Sequence, residues 1–111
     1  MLCVDEELLK RMTETIVREL APEKIVLFGS HARGTAGPDS DLDFLVVAGK
    51  PFSRHHSRKE EMMRLYRRFF DYDIPLDFLL FDQEEVKRWQ SVENHVIAQA
   101  LSGGRTLYER H

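Results

Sequence analysis

Two pairs of residues have the types and spacing for chemistry: Gly29-Ser30, and Asp41 with Asp43 after an interval of ten residues. The Gly-Ser pair follows the apolar run 25–28, so a strand should end in a turn where Gly29 lets backbone approach a ligand closely. Ser30 then opens a short helical segment. A helix start presents unpaired amide N–H groups and a positive dipole end, which makes this turn a natural seat for phosphate oxygens, with the Ser30 hydroxyl as a further donor. Arg33 stands within reach, either adding charge to that seat or pairing with a neighbouring carboxylate.

Residues 35–40 form a small-residue turn containing Pro38, and residues 41–47 (DLDFLVV) then alternate as a strand does. Asp41 and Asp43 accordingly point the same way, with Cα atoms about 6.6 Å apart. Adjacent carboxylates repel one another. A divalent cation removes the conflict, and hard oxygen donors suit Mg²⁺, which takes its other ligands from water and substrate phosphates. The combination points to metal-dependent chemistry on a nucleoside triphosphate.

A third carboxylate is found downstream. Residues 75–81 alternate again and place Asp77 on one face with Leu79 and Phe81, with Leu76, Phe78 and Leu80 on the other. A lone Asp in an apolar strand is costly unless something compensates it, so Asp77 is either a third acid of the same site or a charge at the strand's wet end. Each signal alone is weak; a Gly-Ser turn and an Asp-x-Asp in the expected strand and helix context are far more specific together. Gly29-x-x-x-x-Gly34-Thr35 imitates part of a P-loop but lacks the lysine that would reach the β- and γ-phosphates.

In these residues the chain resembles the minimal nucleotidyltransferases of the DNA polymerase beta superfamily, whose signature is Gly-Ser, ten residues, then Asp-x-Asp; Ala32, Arg33, Gly34, Ser40 and Asp41 also match the longer pattern. The resemblance implies an α/β (α+β) nucleotidyltransferase fold: a small mixed sheet in an α-β-α-β-α-β core laid over residues 5–81, followed by C-terminal helices. It further implies that Asp41 and Asp43 hold two Mg²⁺ ions, that Asp77 completes the second ion's shell and favours loss of the acceptor's proton, and that Gly29 and Ser30 steady the β- and γ-phosphates of ATP. Many stand-alone members are similar to antitoxins paired with a HEPN-domain ribonuclease toxin, to whose tyrosine they transfer AMP. Protein adenylylation is therefore the implied reaction. The alternative is a non-catalytic nucleotide-binding module that acts on its partner by binding; transfer to a small hydroxyl compound or an RNA end is a third reading, for which no substrate pocket is legible.

Several elements must position these groups. A helix from about Asp5, capped by Asp5 and with Glu6 and Glu7 in its first turn, buries Leu8, Leu9, Met12, Ile16 and Leu20 before Pro22. Residues 48–57 read as a loop, with His55 and His56 as solvated residues rather than metal ligands. The next helix buries Met62, Leu65, Tyr66 and Phe69, and its arginines and lysine (Arg54, Arg58, Lys59, Arg64, Arg67, Arg68) read as a solvated face or, less simply, a docking patch. Asp82-x-x-Glu85 is a capping box, and Val86, Trp89, Val96, Ile97, Ala100 and Leu101 form a stripe on one helix or on two separated near Ser91, ended by Gly103-Gly104. Trp89 is a reasonable partner anchor, and residues 106–108 suit a short edge strand.

The 111 residues suit a single domain over 1–111, and a net charge of −3 argues against bulk nucleic-acid binding. Cys3, the sole cysteine, permits no internal disulfide. With no long apolar run or secretory segment, no membrane association is expected and the cytoplasm is the natural setting.

Overall fold

The structure, a computed structural model, describes residues 4–37 and 39–110; Cys3 and Pro38 lie outside the described residues. The first helix, α1 (Glu6–Leu20), begins where expected, with the Asp5 side chain accepting from the Leu8 amide at 2.8 Å. It buries Leu8, Leu9, Met12 and Ile16, leaving Leu20 half-buried. Ala21 closes it in the left-handed conformation, and Pro22, lacking an amide proton, prevents continuation.

Strand β1 (Lys24–Phe28) leads into the single turn α2 (Ser30–Arg33) and then β2 (Leu42–Val47). After the loop 48–57 come α3 (Arg58–Phe69), β3 (Leu76–Phe81), α4 (Gln83–Trp89), α5 (Val96–Gly103) and β4 (Arg105–Glu109). The strands form one mixed sheet in the order β3-β2-β1-β4. β1 runs antiparallel to both β2 and β4, whereas β2 and β3 are parallel, joined by the crossover through α3. Five helices on this four-stranded sheet match the expected architecture, with the 106–108 segment lengthened into a full edge strand.

Alternation along β2 and β3 sorts side chains into two layers. Leu42, Phe44 and Val46 join Phe78 and Leu80 beneath α1 and α3, where the Phe44 and Phe78 rings stack with centroids 5.4 Å apart. Burying each such side chain contributes about 1.5–3 kcal/mol. The opposite face carries Val26 and Leu45 against Ala100 of α5, with Phe28, Leu79 and Phe81 half-buried around them. Asp43 and Asp77 fall on this second face, at the strands' beginnings.

Some side chains lie elsewhere than their spacing suggests. Tyr66 is 39% exposed because it stands at the rim of α3, yet its hydroxyl accepts from the Phe78 amide at 3.0 Å, on the outer side of edge strand β3. Glu61 is buried instead, and His56, far from being merely solvated, pairs with it at 3.1 Å while its Nδ1 meets the Pro51 carbonyl at 3.0 Å. Val96 opens α5 and is exposed, whereas Ile97 and Ala100 are buried. The capping box at Asp82 and Glu85 is formed in both directions.

Candidate active site

Gly29 joins β1 to α2 with φ +76°, a conformation L side chains rarely adopt. Its lack of a side chain also makes room: a Cβ built there would stand 2.2 Å from Oδ2 of Asp43. The carboxylate thus lies directly against the glycine turn. Ser30 begins α2 with Gly29 as N-cap, and Ala32 and Arg33 donate back to the Gly29 carbonyl at 3.2 Å each. A helix leaves its earliest amides without internal partners, so the N–H groups of Ser30 and His31 are the donors this turn can offer an anion.

Asp41 stands one residue before β2, not within it as the alternation suggested, because the ladder opens at Leu42, whose amide donates to the Pro75 carbonyl at 2.9 Å. The turn ahead of it is fixed by the Ser40 hydroxyl accepting from the Gly37 amide at 2.8 Å. Asp43 is half-buried, while Asp41 and Asp77 are exposed. In the parallel β2–β3 ladder Asp43 is the direct register partner of Asp77, so their Cα atoms sit about 4.8 Å apart. Like charges set directly opposite one another destabilise a sheet.

The electrostatics report the same crowding. Partial burial pushes the Asp43 carboxyl above its ordinary range, the charges of Asp77 and then Asp41 push it further, and His31 and Arg33 oppose them. The structure thus sets Asp43 against the Gly29 turn and opposite Asp77, with Asp41 and the exposed Arg33 near enough for their charges to act on Asp43. His31 is the neighbour the sequence reading passed over. Hidden in the ten-residue interval, it reaches back so that Nε2 lies 3.4 Å from the Ser40 carbonyl, linking α2 to the approach to Asp41.

The donor set fits a hard divalent cation: the converging side chains are carboxylates, and their mutual repulsion is what such an ion relieves. Among the described residues no three acidic, His or Cys side chains are gathered tightly enough to enclose an ion unaided.

The basic residues of α3 are largely occupied elsewhere: Arg58 pairs with Glu85 and lies over the Phe52 and Phe81 rings, Arg68 pairs with Glu19, and Arg64 donates to the Glu19 carbonyl. Trp89 stacks on His95 with centroids 4.6 Å apart. Among the described residues no helix is long and apolar enough to cross a membrane.

A sequence model of the family described as Nucleotidyltransferase domain matches residues 10–98. A Methanocaldococcus jannaschii protein named as a protein adenylyltransferase is 28% identical over 114 aligned positions, covering 96% of this chain and 76% of its own length. Among solved structures, a protein described as a nucleotidyltransferase from Sulfolobus solfataricus superposes with a TM-score of 0.59 at 22% identity, covering 94% of this chain and 79% of that one. A chain of a toxin–antitoxin complex with AMP-PNP gives 0.55 at 24% identity, with 92% and 74% covered. A chain of a complex between a tri-AMPylated Shewanella oneidensis HEPN toxin and its MNT antitoxin gives 0.53 at 20%, with 96% and 74% covered. At these identities the structures share the fold.

Proposed function

The chain belongs to the nucleotidyltransferase domain family, and on that premise we propose that it is a Mg²⁺-dependent protein adenylyltransferase, an antitoxin that transfers AMP from ATP to a tyrosine of a HEPN-domain toxin with which it pairs. The observation that carries this reading is the registered pair Asp43–Asp77 beside the Gly29-Ser30 turn. The archaeal relative named as a protein adenylyltransferase and the AMPylated toxin complex that shares the fold support the choice of acceptor.

Asp41 and Asp43, with Asp77, would hold two Mg²⁺ ions. When bound, they supply positive charge against the triphosphate and the departing pyrophosphate and make the acceptor hydroxyl easier to ionise. The chain itself binds and aligns. The amides of Ser30 and His31 and the Ser30 hydroxyl receive β- and γ-phosphate oxygens, with Arg33 adding charge at the exposed side. So held, the α-phosphorus faces the incoming tyrosine in line. The new bond forms from the tyrosine oxygen to the α-phosphorus, the bond from the α-phosphorus to the oxygen bridging to the β-phosphate breaks, and pyrophosphate leaves. Asp77, exposed at the edge of the sheet, takes up the hydroxyl proton. Fixing both reactants supplies much of the remaining acceleration. The setting of this pair is the cytoplasm.

Incubation with α-labelled ATP, Mg²⁺ and the protein encoded beside this chain, followed by mass analysis of that protein, tests the reading. An added AMP on tyrosine, lost when Asp41 and Asp43 are both replaced by Asn, is the expected result. An unmodified partner whose toxicity is equally suppressed by the Asp-to-Asn chain would sink it in favour of neutralisation by binding.

A further inference from the structure

Helix α3 carries apolar side chains on two faces, of which folding buries one. Leu65 and Phe69 are buried, whereas Met63, Tyr66 and Phe70 form a stripe along the other side at 49%, 39% and 81% exposure. A helix apolar on a second face has a second surface to cover. Tyr66 is already fixed within the stripe: its hydroxyl accepts from the Phe78 amide at 3.0 Å and its ring meets the Phe78 ring edge-on at 5.3 Å. An aromatic held in place before binding loses little freedom when a partner arrives, which suits it as an anchor.

The charges beside the stripe point to what covers it. Arg58, Arg64 and Arg68 are engaged within the chain. Lys59 and Arg67, one helical turn before and after Met63, have no ion pair among the described residues. On a chain whose net charge is −3, these two cations are a local feature that calls for acidic groups opposite. Two cations among apolar side chains suit a protein ridge better than a nucleic-acid backbone, which is gripped through many phosphate contacts. Because the Tyr66 hydroxyl occupies the Phe78 amide on the outer edge of β3, the addition of a partner strand is obstructed there, and a helix laid along α3 is the better fit.

Position relates the stripe to the reaction. Since α3 crosses from the end of β2 to the beginning of the parallel β3, Phe70 emerges at the same end of the sheet as Asp43 and Asp77 but over its opposite face, so a partner on the stripe reaches the exposed Asp77 around edge strand β3. We propose that the stripe Met63–Tyr66–Phe70, flanked by Lys59 and Arg67, docks the acceptor protein through a surface helix that carries acidic residues beside apolar ones, bringing its tyrosine up to Asp77. This rests on the reading that the acceptor is a protein.

The test is calorimetric titration of the intact chain with the purified protein encoded beside it. Replacing Met63 and Phe70 together by Glu should weaken that complex by about 30-fold or more. Replacing Lys59 and Arg67 by Glu should weaken it about 10-fold and flatten its salt dependence. Both variants should bind AMP-PNP with Mg²⁺ within about two-fold of the parent, since the site is separate and the altered side chains are exposed. Asp43→Asn should do the reverse, keeping the partner while losing transfer, so a failed docking surface and a failed transferase reading are told apart. Undiminished affinity in the Met63/Phe70 variant overturns the assignment, as does a parent chain that does not bind this protein or that self-associates through the stripe instead.

Discussion

The carboxylate of Asp43 occupies the space that a side chain at position 29 would need: a Cβ on Gly29 would lie 2.2 Å from Oδ2 of Asp43. The glycine's positive φ adds a second obstacle to any substitution. Gly29→Ala should therefore cost more than about 1 kcal/mol of stability and, by displacing Asp43, reduce transfer at least about 100-fold. Chemical denaturation and a labelled-ATP assay on the same preparation check the two effects; an alanine variant with parental activity would show that the contact is dispensable.

Asp43 also lowers the stability of the fold it serves. Burial and the Asp77 and Asp41 charges favour its protonated form in the folded chain. As pH rises from the ordinary value of 3.8 through the raised one, the unfolded chain has already released this proton and the folded chain has not, so stability falls across that window and the deficit persists above it. Asp43→Asn should consequently be more stable than the parent at neutral pH without metal. A like-charged cross-strand pair costs about 0.2–1 kcal/mol, or on the order of 1–6 °C in Tm for a domain of this size. The same variant should lose transfer more than about 100-fold. A melting curve unchanged or lowered by Asn would contradict this account of the repulsion.

Asp77→Asn separates the two roles proposed for that residue. Removing its charge takes away one of the influences that hold the Asp43 carboxyl up, so the pH below which Mg²⁺-dependent nucleotide binding is lost should move down, while binding at neutral pH weakens with the missing metal ligand. Transfer should nonetheless fall by about 10²–10⁴-fold with the proton acceptor gone. AMP-PNP titrations at a series of pH values, set beside single-turnover rates, provide the comparison.

Asp82 offers a control away from the site. Burial alone would raise its carboxyl, but hydrogen bonds from the Glu85 and Phe52 amides and the charge of Arg58 outweigh that and hold it below the ordinary range. Its stabilising contribution is thus complete above the ordinary carboxylate value and disappears as pH falls through the lowered one. Asp82→Ala should lose about 1 kcal/mol at neutral pH through the missing cap, and less in acid. Nucleotide binding should be unaffected, which a titration alongside the melts would verify.

Much of this was legible in the sequence because the relevant signals are local. Alternation over 41–47 and again over 75–81 picked out Asp43 and Asp77, which the β2–β3 pairing sets opposite each other, and the Gly-Ser turn ended β1 where the glycine indicated. The misplacements have non-local causes. Asp41 falls outside β2 because the first ladder bond is donated by the Leu42 amide to the carbonyl of Pro75, far along the chain. Helical spacing alone assigned Tyr66 to the core, but β3 is the edge of the sheet, and the ring, edge-on to Phe78 on one side, stays 39% exposed. Glu61 stands at helical spacing from Leu65 and Phe69 and shares their buried face, where His56 from the loop 48–57 pairs with it; the spacing was there to read, but the partner was not.

The parallel pairing of β2 with β3 has a consequence for how this chain can vary. No tight turn joins the two strands, so their alignment depends on the length of the crossover and on which side chains fit beneath α3. Displacing β3 by one position would turn Asp77 inward and set Phe78 opposite Asp43, leaving an apolar strand much as before but reversing its two faces. The number of residues between α3 and β3 is therefore tightly constrained: Tyr72 and Ile74 of that segment pack against the core, and a single insertion there threatens the chemistry of a site it does not touch.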